Sequence, residues 1–388
     1  MMYKNIQSFD FRKLDLTTFI LFFTLSLVGL LFIASASIPY ADYSSGYSLN
    51  FFIKQSIHFL IGLSALIFVL FTPISFWESF DRVLFGTGII LLILVLVPGI
   101  GTEVNGASRW IRVGGFSLQP SEIMKFISIL YISGYSVRRL GELQNKFSGF
   151  LKPASLIVLV TFLILLQPDL GSSAVLFMTV LGILFIAGVP LIWFLVILGF
   201  SFIAISSLIY FVPWRWERII SFMDPWENQF NSGYQLTQSL MAIGRGEWFG
   251  QGLGESVIKM GYLPEAHTDF IFSILVEEMG LIFGILMIII LFALVFRSFL
   301  IALKAKYKGL FFSSFIAYGI GILIGLHTFI NVGVASGLLP TKGLTLPFIS
   351  YGGNNLIIMC ALIGLLLRID YETKQSMPIQ KIIRKASY

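Results

Sequence analysis

The chain has 388 residues, of which 57% are hydrophobic and only 12% charged, with a formal net charge of +6 and a mean hydropathy of +0.89. Soluble globular chains carry about 25% charged residues, so this composition excludes a soluble protein and requires a polytopic membrane protein. The positive balance is not a nucleic-acid signal, because the basic residues gather in a few short loops, and the one cysteine, Cys360, excludes an intramolecular disulfide.

In chain order, ten apolar runs suit helices that cross a hydrocarbon core needing about 20 residues. They cover roughly 16–37, 51–71, 83–99, 120–137, 153–167, 172–188, 190–212, 270–296, 309–332 and 346–367. The opening shows no cleavable signal pattern, and the first run is long enough to span and stay. The expected organisation is a cytoplasmic tail over 1–15, one ten-helix membrane domain over 16–367, and a second cytoplasmic tail over 368–388.

Charge orients the bundle. Lys4, Arg12 and Lys13 precede the first span, and Arg82 follows the second. Arg138, Arg139, Lys146 and Lys152 follow the fourth; Arg297, Lys304, Lys306 and Lys308 follow the eighth. Arg368, Lys374, Lys381, Arg384 and Lys385 follow the tenth. An even count of ten puts all five groups on one side, which the positive-inside rule makes the cytoplasm, with both termini there. The first opposite loop, Ala36 to Asn50, has no Lys or Arg. The largest loop, Pro213 to Thr268, then faces outward between the seventh and eighth spans. It carries Trp214, Trp216, Trp226 and Trp248, which suit a membrane interface, and Gly244, Gly246, Gly250, Gly252 and Gly254, which imply tight turns.

Four outward clusters hold polar residues that need a reason to be there. The first runs from Asn105 through Arg109 to Gln119, Pro120, Glu122 and Lys125. Pro120 suits a first helical turn, and Glu122 and Lys125, three apart on one face, can pair. A structural ion pair and a substrate role are equally open for them. The second is Gln167-Pro168-Asp169, read first as a turn with Asp169 capping the next helix. The third runs from Tyr234, Gln235 and Gln238 through Arg245 to Pro264–Asp269. Within it, Leu263 to Asp269 packs Glu265, His267 and Asp269 at the mouth of an apolar run, where a carboxylate is costly to desolvate. Glu277 and Glu278 follow, and a helical offset of eight or nine residues brings them back near the face of Asp269. The fourth runs from Leu339 through Lys342 and Ser350 to Asn355, where prolines and glycines suggest a broken or re-entrant helix lining a cavity, or a loop with a late helix start. Metal-ligand spacing, a nucleotide-binding glycine loop and a Ser/His/Asp pattern are all missing.

Taken together, the motifs NGASRWIRVGGFSLQPSE, QPDLGSS, GYQLTQSLMAIGRGEWFGQGLG, YLPEAHTDFIF, EEMG and LPTKGLTLPFISYGG resemble the SEDS family of bacterial cell-wall proteins over roughly residues 90 to 373. LPEAHTDF, Lys342 and the ending RIDYET look like the division branch more than the elongation branch. Asn354-Asn355 departs from the serines usual in the family. The resemblance implies an inner-membrane peptidoglycan glycosyltransferase at the division septum, acting on lipid II and a lipid-linked glycan strand. Its partners would be a class B penicillin-binding protein with transpeptidase activity and other division proteins. The family's essential loop aspartate matches Asp269, which is expected to act as general base in an inverting β-1,4 transfer with a lipid pyrophosphate leaving group. Arg109, Lys125, Arg245 and Lys342 are the candidate cations for that pyrophosphate. No cofactor is certain, and a divalent cation, Mg or Mn, can share the task. Glu265 and His267 orient Asp269, bind sugar hydroxyls, or only shape the loop; Gln235, Gln238, Glu122 and Ser350 are further substrate-binding candidates, and Asp169, Glu277 and Glu278 candidate cavity residues. The competing readings are a lipid II flippase, an elongation-type polymerase and a scaffold for the transpeptidase.

Overall fold

The computed structural model describes residues 10–45, 48–104, 107–114, 116–211 and 213–376. Lys4, Asn105, Gly106, Lys381, Arg384 and Lys385 lie outside them, as do most of the two tails. Ten long helices fall on the ten apolar runs: α1 Leu16–Ser45, α2 Asn50–Phe71, α3 Ile74–Leu94, α4 Pro120–Arg138, α6 Phe147–Leu165, α7 Leu170–Ile186, α8 Leu191–Tyr210, α11 Ile271–Tyr307, α12 Phe311–Ala335 and α13 Gly353–Gln375. Three shorter helices join them: α5 Leu140–Asn145, α9 Pro213–Met223 and α10 Tyr234–Gly246. Five of the long helices are long and apolar enough to cross a membrane by length and composition alone. Leu60, Phe68, Ile90, Phe162, Ile192 and Phe200 are exposed, as expected of side chains that meet lipid instead of water.

Several boundaries differ from expectation, each for a local reason. The first loop is shorter than the 36–50 read from sequence, because α1 continues to Ser45. α3 begins at Ile74, nine residues early; its Asp81 is buried and held by Arg138 Nη1 on α4 at 2.7 Å, so the charge does not interrupt the helix. The cluster before Pro120 is not helix or plain loop but a three-stranded antiparallel meander, β1 Gly101–Val104, β2 Ala107–Val113 and β3 Phe116–Leu118, with Ile111 opposite both Gly101 and Leu118. α13 starts at Gly353, not near 346. The segment before it, from Leu344 to Ser350, is irregular backbone with most of its residues buried. Such backbone is tolerated at membrane depth only inside protein or against a cavity.

The largest departure is in α11, where Gly280 has φ 86 and ψ 168 and splits the helix. The break frees the carbonyls of Glu277 and Glu278 and the amides of Leu281 and Ile282. The large loop repairs it. Gln251 N and Gly252 N donate to Glu277 O and Glu278 O, each at 2.9 Å, while Leu281 N and Ile282 N donate to Glu247 O and Trp248 O at 2.9 and 3.4 Å. Gly246 and Gly250 let that loop backbone come against α11; a Cβ at either would strike the carbonyls of Val276 and Glu278. Two of the loop glycines are therefore packing requirements, not only turns.

Contacts sort the chain into two ends. At one, Arg297 Nη2 bonds Asp15 Oδ1 at 2.6 Å, Arg368 Nε bonds Glu372 Oε1 at 2.7 Å, and Lys374 Nζ meets Lys13 O at 2.8 Å. The other end gathers the β-meander, the turn before α7, the large loop and the segment before α13.

Candidate active site

Asp269 closes a compact turn that runs straight into α11. Glu265 takes the left-handed backbone region, with φ 58, a costly conformation for a residue with a side chain. Its carbonyl accepts from Thr268 N at 3.1 Å and Phe270 N at 3.4 Å, and its Oε2 accepts from the Thr268 hydroxyl at 2.7 Å. The turn is fastened to the segment before α13: Tyr351 N donates to His267 O at 2.9 Å, and the His267 ring lies 4.7 Å from Phe51 and 5.6 Å from Tyr351. Burial lowers the His267 pKa, against the opposing charge of Glu265, so the ring is neutral at neutral pH.

Around the Asp269 carboxylate, three other elements meet. Gly343 comes so close that a Cβ there would sit 2.9 Å from Asp269 Oδ2. Asn331 on α12 donates to Asp269 O at 2.8 Å and to Leu344 O at 2.6 Å. Arg109 on β2 bridges to the turn before α7 through Gln167 O at 3.0 Å and Pro168 O at 2.5 Å. Asp169 caps α7, its Oδ1 accepting from Ser172 N at 3.0 Å, as the sequence suggests. Burial, then the charges of Glu265 and Asp169, push the Asp269 carboxyl up to about 7, and the Arg109 guanidinium opposes them. A carboxylate so placed exchanges a proton readily near neutral pH.

Other expected site residues lie elsewhere. Lys125 is buried; its Nζ bonds Glu122 Oε1 at 2.8 Å and His327 Nε2 at 3.1 Å. An ammonium only donates, so Nε2 accepts and His327 carries its proton on Nδ1, which faces Thr345 O at 3.3 Å. Of the two roles left open for Glu122 and Lys125, the contacts favour the structural ion pair. Arg245 is likewise engaged, its Nε donating to Glu277 Oε1 at 3.1 Å, though it remains half exposed. Glu277 also accepts from Ser256 Oγ and Val257 N, and Glu278 from Lys259 Nζ at 2.6 Å and Ser35 Oγ at 2.7 Å. The acidic pair therefore anchors the large loop instead of sharing a face with Asp269, because 263–270 is turn and not helix. Ser350 Oγ accepts from Leu346 N at 2.7 Å and closes its own turn, which gives it a structural role. Gln235 and Gln238 lie half-buried on α10, three residues apart. Lys342 is next to Gly343 and so borders the site.

Three residues that carry this arrangement escaped the sequence reading: Asn331, His327 and Lys259. The only signal was polarity inside or beside an apolar run. Asn355, the family departure, proves to donate to Glu122 Oε2 at 2.9 Å, while Asn354 binds Ser117 O at 2.7 Å. Among the described residues no group of three or more His, Cys, Asp or Glu is placed to hold a metal ion.

Fold and site together define a polytopic membrane protein with a buried carboxyl, raised towards neutral pH, at the end of the bundle that holds the β-meander and the large loop. The chain belongs to the FtsW/RodA/SpoVE family, described as cell cycle protein, which matches residues 15–375. A protein of Coxiella burnetii named probable peptidoglycan glycosyltransferase FtsW is 48% identical over 90% of this chain and 95% of its own length. One of the same name from Saccharophagus degradans is 44% identical over 96% of this chain and 95% of its own. Among solved structures, a chain from work described as structural coordination of polymerization and crosslinking by a peptidoglycan synthase complex superposes with a TM-score of 0.77 at 27% identity, covering 94% of this chain and 99% of that one. The rod shape determining protein RodA of Thermus thermophilus gives 0.70 at 26%, covering 94% and 98%.

Proposed function

We propose that this protein is a peptidoglycan glycosyltransferase that polymerises lipid II, with Asp269 as general base. The observation that carries the reading is the Asp269 carboxyl, raised to about 7 and flanked by Arg109 and by Gly343-Lys342. The 4-hydroxyl of the acceptor GlcNAc attacks the anomeric carbon of the donor MurNAc. Its proton passes to Asp269, a C–O bond forms, and the bond to the lipid pyrophosphate breaks with its electron pair on the leaving group. One displacement inverts an α-linked donor to a β-1,4 product, so one base suffices. Pyrophosphate leaves without protonation but wants positive charge. Arg109, whose charge acts on Asp269, and Lys342, next to Gly343, are the cations nearest the base and supply it.

The division reading is supported by relatives named FtsW at 44–48% identity against 26% to the RodA structure. With it come a place in the cytoplasmic membrane at the septum, cytoplasmic termini, and a class B penicillin-binding protein as partner. The test is polymerisation of lipid II by purified protein, with and without that partner and with a chelator. Asp269→Asn is expected to abolish strand formation. Full activity in that variant removes the general base, and lipid II translocation without polymerisation by the wild type substitutes the flippase reading.

A further inference from the structure

We infer that Asn331 is the positioning residue that sets the spacing between the Asp269 turn and the Gly343–Leu344 segment, by holding both on one carboxamide. The inference rests on the assignment of Asp269 as base. Asn331 is 1% exposed, in a helix otherwise dominated by apolar residues. Its Nδ2 uses both hydrogens: one bonds Asp269 O at 2.8 Å, the other Leu344 O at 2.6 Å. Its Oδ1 is buried and has no hydrogen-bond partner among the described residues. Turning the amide end for end would set Oδ1 against two carbonyl oxygens, so the orientation is fixed by the two carbonyls alone. A buried polar atom left unpaired is costly and rare in native proteins. The cost is accepted here where the same side chain fastens the two segments that meet at Asp269.

The two segments are otherwise separate pieces of chain. Asp269 ends the turn before α11, whereas Gly343 belongs to the irregular segment before α13, and α12 packs against both helices. Four residues earlier on the same face of α12, His327 Nδ1 faces Thr345 O at 3.3 Å. The carbonyls of Leu344 and Thr345 are therefore both tied to α12, but only Asn331 also reaches Asp269. Its two bonds fix how far the Asp269 carboxylate stands from Gly343 and hence from Lys342 and the incoming sugar. The charged groups around Asp269 are Glu265 on its own turn, Asp169 at the start of α7, Arg109 on β2 and Lys342 beside Gly343; none is touched by a change at Asn331.

The experiment is lipid II polymerisation by the full chain with its transpeptidase partner, read as kcat, KM and the pH profile of kcat/KM. Displacing a reacting group by about 1 Å costs about 100-fold in rate. Asn331→Ala is expected to lower kcat by about that factor with KM within about 3-fold. Its acid limb should also move to lower pH, because loosening the two segments lets water reach Asp269 and weakens the burial that raises its carboxyl. Asn331→Leu fills the same space in an apolar helix and serves if the alanine variant does not fold. Unchanged kcat, or a lower kcat with the acid limb where the wild type has it, overturns the inference. Asp269→Asn is run beside them: full activity there sinks the general-base assignment itself, whatever Asn331 does.

Discussion

A general base must be ionised before it can accept a proton, so a carboxyl raised to about 7 governs the acid side of the rate profile. Activity is expected to climb as pH rises through about 7 and to fall away below it. Glu265 contributes negative charge that favours the protonated form. Replacing it in Glu265→Gln keeps an acceptor for the Thr268 hydroxyl but removes that charge, so the Asp269 pKa drops and the acid limb moves to lower pH. Arg109→Ala removes an opposing cation and moves the limb the other way, with weaker stabilisation of pyrophosphate. A Glu265→Gln profile that stays in place would show that its charge does not reach Asp269. Gly343→Ala probes the same site sterically. A Cβ 2.9 Å from Asp269 Oδ2 must push the carboxylate or occupy sugar space, so polymerisation should fall about 10-fold or more while the melting temperature barely moves. The acidic run over 263–269 was legible because a carboxylate at a helix mouth is anomalous, and the family resemblance singled out Asp269 within it. Asn331 was not: one carboxamide in an apolar run has no spacing, and its partners are 62 and 13 residues away.

At the scale of elements, α11 and the large loop depend on each other. The loop amides satisfy carbonyls that the break at Gly280 exposes, and the break presents Glu277 and Glu278 to the loop. Gly280 lies in backbone space that is essentially glycine-only, and a Cβ there would also stand 2.6 Å from Gly250 N. Gly280→Ala is therefore expected to cost about 1–3 kcal/mol or more, read as a lower unfolding temperature in detergent. Lys259→Met leaves Glu278 buried without its cation and should cost about 3–5 kcal/mol. Adding Glu278→Gln should restore part of that loss, and no recovery would mean that the pair is not coupled. The ten long helices were readable because long apolar runs announce themselves. The break was not, since a single glycine in the EEMG motif looks like any other, and the loop lysine that meets Glu278 sits 19 residues upstream in irregular chain. Strands of four, seven and three residues are likewise too short to show a period.

Over the whole molecule, charge does two jobs at opposite ends. At one end Arg297 on α11 pairs with Asp15 just before α1, and Lys374 on α13 bonds Lys13 O, where positive charge also favours a cytoplasmic face. The acidic turn, Arg109 and Lys342 gather at the other, where a lipid-linked sugar would enter between helices and meet its reacting groups at the membrane surface. Orientation thus decides function: the same site turned inward would face precursors still being assembled. The single cysteine makes this measurable, because Cys360 is fully buried and gives little background to a membrane-impermeant maleimide. Glu255→Cys, exposed in the large loop, is expected to label in intact cells. Lys306→Cys, exposed at the basic end of α11, should label only after permeabilisation. The reverse pattern would put Asp269 in the cytoplasm and remove an extracytoplasmic polymerase from consideration, whereas the expected pattern leaves the site facing the compartment where glycan strands are built.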